Sequence, residues 1–77
     1  MPATTLDIRD VPPPKRHPQI HEAFDALESG ETLRIVNDHD PQPLFYEFQA
    51  EVDPFDAEGY TVERRGGEEF VADLPKR

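Results

Sequence analysis

The chain holds three histidines, His17, His21 and His39, and these are its best candidates for proton transfer or metal ligation. Asp38 and Asp40 flank His39, and Arg16 precedes His17. An imidazole beside a carboxylate serves acid–base work and metal binding alike. His17 and His21 are four apart, a spacing that helix-borne ligands often use. Pro18, however, suits the first position of a helix, which makes His17 an N-cap and removes it from regular helical geometry. The metal candidates are therefore His17 and His39, with iron, zinc and copper not separable. The competing reading has both histidines bonding backbone at helix starts and His21 solvated.

A second chemistry is anion binding. Arg9 and Arg16, with Lys15, form one of the few basic patches of the chain. Arg16 offers a planar fork for a carboxylate or phosphate. Asn37, Asp38, His39 and Asp40 supply further polar groups. The alternative is that Arg16 and Lys15 pair with Asp10, Asp38 or Asp40 and only fasten loops. No serine in a sharp glycine-framed turn accompanies His39, and the chain has no cysteine. No catalytic constellation is complete, so the expectation is a protein that is not an enzyme and that carries no cofactor.

The positions of these residues follow from the elements around them. Leu6 and Ile8 alternate with Asp7 and Arg9, the period of a half-buried strand, predicted over Thr4–Arg9. Pro12, Pro13 and Pro14 then favour a stiff, extended connector. Ile20, Ala23, Phe24 and Leu27 fall on one helical stripe, predicting a helix over Pro18–Glu28 that stops at Gly30. Thr32–Asn37 alternates as a second strand. Asp40 as N-cap and Pro41 as first residue predict a second helix over Pro41–Glu51. Asp53–Gly59 reads as a loop, Tyr60 and Val62 begin a third strand, and Gly66–Gly67 is a tight reversal. Phe70, Ala72 and Leu74 alternate in a fourth strand that ends at Pro75.

The order β-α-β-α-β-β predicts an α+β two-layer sandwich. Its four-stranded sheet is mixed, and both helices lie on one face. The other sheet face stays wet. The aromatics Phe24, Phe45, Phe48, Phe55, Tyr60 and Phe70 read as core, Tyr46 as exposed, and Arg64 and Arg65 as solvated. In a parallel β-α-β unit both strand ends and both helix starts share one edge, where ligands prefer to sit. Arg9, Arg16 and His17 from one connection should there meet Asn37, Asp38, His39 and Asp40 from the other. Two helix N-termini would add backbone N–H groups.

Residues 1–77 suit one domain. A chain this short buries only about 60% of its unfolded surface, which disfavours a deep private cavity. Seventeen acidic against eight basic residues leave a net charge of −9, which repels phosphate backbones and argues against nucleic acid as a partner. The acids are scattered, few of the bases are lysines, and high salt screens such repulsion within about 3 Å at 1 M. That pattern fits adaptation to a salt-rich cytoplasm. Zero cysteines exclude disulfides and thiolate sites. Met1–Thr5 carries no base, no apolar run follows, and no stretch approaches a membrane span, so a cytoplasmic monomer is expected.

Two runs carry a family resemblance. L-D-I-R-D-V-P-P-P-K-R-H-P (Leu6–Pro18) and V-N-D-H-D-P-Q-P-L (Val36–Leu44) resemble the signature of an uncharacterised bacterial and archaeal family, domain of unknown function 2249. The likeness continues through Phe48 to the last hairpin. That family in turn resembles the TusA and SirA-like sulfur carriers, whose pattern opens Leu-Asp-x-x-Gly and continues Cys-Pro-x-Pro. Leu6 and Asp7 match, Asp10 stands in place of the glycine, and Pro13 or a neighbour in place of the cysteine. The resemblance implies their two-layer fold without the carrier thiol. Members of the family occur beside hemerythrin-like iron-binding domains, which implies a redox setting. The expectation is thus an accessory or binding module whose helix-start edge holds a small anionic ligand or a protein partner. Two alternatives stay open. One is a metal- or iron-linked redox helper with a hemerythrin-like partner; the other is a degenerate sulfur-relay docking protein.

Overall fold

Two strands that run parallel must be joined by a crossover, and here the crossover is a helix. The computed structural model describes residues 2–77; Met1, which the single-domain expectation includes, lies outside them. The elements are β1 (Thr4–Asp7), α1 (Pro13–Asp25), β2 (Thr32–Asn37), α2 (Gln42–Glu51), a one-turn 3-10 helix (Ala57–Gly59), β3 (Thr61–Gly66) and β4 (Glu69–Pro75). The sheet order is β1-β2-β4-β3, with β1 and β2 parallel and the other two pairings antiparallel. The fold is the expected α+β arrangement of two helices on a mixed four-stranded sheet.

Register decides which residues share a face. Leu6 opposes Ile35, Leu33 opposes Leu74 and Ile35 opposes Ala72. Leu33, Ile35, Ala72 and Leu74 join Ile20, Phe24 and Leu27 and, from α2, Leu44 and Phe48 in one core cluster, against which the partly buried Leu6 packs. Phe48 is fully buried and packs edge-on against Phe24 and Phe55. On the opposite face Arg34 and Asp73 sit directly across from each other and close a two-point ion pair at 2.8 and 3.1 Å. Among the described residues no helix is long and apolar enough to cross a membrane.

The start of α1 departs from expectation. The helix begins at Pro13, not Pro18, and of the three prolines only Pro12, at φ −55° and ψ 136°, is extended. Pro13 and Pro14 take the first two helical positions, where a missing N–H costs nothing, and Lys15 N donates to the Pro12 carbonyl at 2.8 Å. Pro18 falls inside the helix and forgoes a backbone bond there. The buried stripe is Arg16, Ile20 and Phe24. The helix ends at Asp25, short of Glu28, and buried Leu27 packs from the turn that follows. There Lys76 Nζ donates to the carbonyls of Phe24, Asp25 and Leu27, and Gly30 adopts φ 88° to redirect the chain into β2.

Smaller departures have local causes. β1 is two residues shorter than predicted. Asp40 is not the cap of α2; Pro41 is, without a side-chain bond, and Gln42 starts the helix. The hairpin turn is Gly67–Glu68, because Gly66 already pairs with Glu69. Phe70 lies outside the core cluster and is only partly buried, since β3 beside it is exposed throughout and no helix covers that margin. The Arg64 guanidinium covers the Phe70 ring instead, 5.5 Å from its centre. The rings of Phe45 and Tyr60 meet at a tilt of 38° at the rim of the core, 4.6 Å apart. Burial pushes the Tyr60 hydroxyl up to about 12.

Candidate functional site

The edge where β1 and β2 end carries a cavity of about 310 Å³. Its polar wall is Arg16, His17, Asn37, Asp38 and His39, and its apolar wall includes Ile8, Ile20, Leu44 and three prolines. Five of the seven residues predicted to meet therefore line one cavity. The parallel pairing of β1 and β2 causes this: Ile8 N donates to Val36 O at 3.0 Å, which holds the two departing loops side by side.

Arg16 is the keystone of that edge and is nearly fully buried. A guanidinium has five N–H donors, and all of them are engaged. Nε donates to the Val11 carbonyl at 2.8 Å and Nη2 to the Arg9 carbonyl at 3.1 Å. Nη1 donates to Asn37 Oδ1 at 3.2 Å, and the fork closes on Asp38 at 3.0 and 3.2 Å. Arg16 thus fastens the first loop to the second, and its charge is answered by Asp38. The helix starts also offer fewer donors than expected, because Pro12, Pro13, Pro14, Pro41 and Pro43 carry no N–H.

Asp38 works in two directions. The Arg16 guanidinium first, and His39 second, hold its carboxyl down from 3.8 to about 2. An ionised carboxylate only accepts hydrogen bonds, so the 2.7 Å contact to His39 Nδ1 places the proton on Nδ1. In the neutral ring Nε2 is then a lone-pair acceptor. His39 is otherwise exposed, its side chain 64% accessible.

His17 repeats the pattern from the other wall. It lies within α1 and is not the N-cap. Its Nδ1 is 3.2 Å from Glu47 Oε2, and His21 Nε2 reaches the same oxygen at 3.0 Å. Glu47 is held below the usual carboxylate range, chiefly by the His21 hydrogen bond and then by His17. Nε2 of His17 is the ring nitrogen not in contact with Glu47. His21 is not solvated as expected: its ring stacks on Phe48 at 4.5 Å, and it stands away from the cavity.

Two predicted residues fall outside. Arg9 pairs with Asp7 at 2.8 and 3.0 Å on the exposed surface, and only its carbonyl serves the site. Asp40 is exposed and does not line the cavity. Lys15 and Asp10 are exposed as well and take no part in the clasp. Sequence reasoning missed Glu47, whose only local signal was its place beside buried Phe48 on α2. It also missed the apolar wall, whose residues read simply as core or turn. Among the described residues no group of three or more His, Asp or Glu is gathered to hold a metal ion.

The model of one protein family, described as "Uncharacterized conserved protein (DUF2249)", matches residues 5–76. No curated protein and no solved structure matches the chain.

Proposed function

The chain belongs to the DUF2249 family of uncharacterized conserved proteins, and we propose that it acts as a non-enzymatic binding module. Its cavity at the helix-start edge takes a small ligand between the imidazoles of His17 and His39. One observation carries this reading: two histidines, one from α1 and one from the loop after β2, line one cavity, each with its Nδ1 within 3.2 Å of a carboxylate oxygen. Tied rings are pre-oriented, so binding costs little side-chain freedom. At about 310 Å³ the space sits at the small end of ligand pockets. Ile8, Ile20 and Leu44 would shelter an apolar body while the two Nε2 atoms meet a polar head. A free anion is the weaker fit, since the guanidinium of Arg16 is spent on Asp38 and neighbouring loops. A catalytic role lacks a nucleophile beside the Asp38–His39 pair.

Backbone amide spectra recorded during titration with phosphate, acetate and methylguanidinium test the reading. Segments 13–20 and 37–44 should shift together with at least one probe, and the shifts should vanish in His39→Ala. If all three probes leave both segments unmoved, the cavity is not a small-molecule site.

A further inference from the structure

Resting on that reading of the cavity, we infer that its ligand is a late first-row divalent metal ion, held by Nε2 of His17 and Nε2 of His39 with its other positions open to water or a second ligand. Metal-ligating histidines almost always donate their other ring N–H to a carboxylate or carbonyl, which sets the tautomer and raises the basicity of the ligating nitrogen. His39 does this at 2.7 Å to Asp38, and Nδ1 of His17 lies 3.2 Å from the Glu47 carboxylate. Each carboxylate is itself anchored. The Arg16 fork grips Asp38, and His21 donates to Glu47 while stacking on buried Phe48. A carboxylate therefore stands beside Nδ1 on each wall, and Nε2 is the other nitrogen of each ring.

The surroundings favour a cation. The one arginine at the cavity is neutralised by Asp38, and the chain carries a net charge of −9 that raises the local concentration of positive ions. Imidazole without thiolate suits copper, nickel or zinc over calcium or magnesium, and copper(II) is the tightest of the series. With two protein ligands the site is open and exchangeable, not a closed structural centre.

Copper(II) added to the full chain is the probe, followed by calorimetry and electron paramagnetic resonance. The expected result is one bound ion whose spectrum shows coupling to two imidazole nitrogens. His17→Ala and His39→Ala should each weaken binding more than tenfold. Glu47→Gln, which touches no metal, should weaken it about tenfold through the loosened His17 ring. His21→Gln should leave the two-nitrogen spectrum intact, and thermal melts confirm that each variant is folded. Coupling to one nitrogen or none overturns the assignment. So does undiminished affinity in His39→Ala, or loss in His21→Gln alone, which would move the ion to the helix-borne pair. If copper fails while acetate, phosphate or methylguanidinium still shifts segments 13–20 and 37–44, the metal is wrong and the cavity stands. If none of them shifts those segments, both fall.

Discussion

Arg16 and Asp38, 22 residues apart in the chain, meet fork to fork at 3.0 and 3.2 Å. The pair closes the molecule at the edge where both parallel strands end. It also turns Asp38 toward His39, so one contact supports the fold and orients a site residue.

Replacing Arg16 by Met keeps the apolar stem and deletes five hydrogen bonds. The carbonyls of Arg9 and Val11 lose their side-chain donor together, while the amide oxygen of Asn37 keeps only the Asp38 N–H. Urea unfolding should show a loss of about 3 kcal/mol, in the range for removing one partner of a buried polar cluster. Arg16→Lys should recover less than half, because an ammonium cannot reproduce the fork. A loss under about 1 kcal/mol for Arg16→Met would contradict the clasp.

Acid should weaken the fold through Asp38 and Glu47. Both carboxyls have lower values folded than unfolded, so their contribution is present above the unfolded values and is lost as pH falls toward the folded ones. For Asp38 the window runs from 3.8 down to about 2. Urea midpoints measured across that window should fall, and the slope should be shallower in Asp38→Asn. Equal slopes would mean that Asp38 is not held down in the folded protein.

Lys76 serves the far end of α1. Its ammonium donates to three carbonyls and lies 5.5 Å from the centre of the Phe24 ring. A cation at a helix C-terminus is favourable, and Lys76→Met should cost about 1–2 kcal/mol. Amide exchange should rise in residues 22–27 while β2 and β4 stay protected. Uniform change across the chain would point to a global effect instead.

Pro18 is an interior helix proline on an exposed position. Pro18→Ala restores an N–H for the Pro14 carbonyl and relieves the ring. It should stabilise the protein by about 1–3 kcal/mol, read as a higher thermal midpoint. A lower midpoint would show that the proline holds α1 in a shape the core requires.

Salt should raise the thermal midpoint between dilute buffer and 1 M sodium chloride. The net charge of −9 repels itself within a small molecule, and 1 M salt screens over about 3 Å. A midpoint that does not move would reject adaptation to a salt-rich interior.

Element order and the convergence of two loops were legible in the sequence by itself, because periodicity is local. The spacing of Ile20 and Phe24, the alternation of Leu33 and Ile35, and a helix between two strands determined a parallel β1–β2 pair. That pair already put His17 and His39 on one edge. Tertiary structure decided the rest. Pro12 stays extended while Pro13 and Pro14 open the helix, which puts Arg16 on its buried stripe beside Asn37 and Asp38. His21 reads as solvated until α2 brings Glu47 and Phe48 against it. Arg16 reads as a free anion grip until folding supplies an acceptor for each of its donors. Hydrogen bonds between distant residues leave no period in the chain, so only the packed molecule shows which polar groups are spent and which remain to bind.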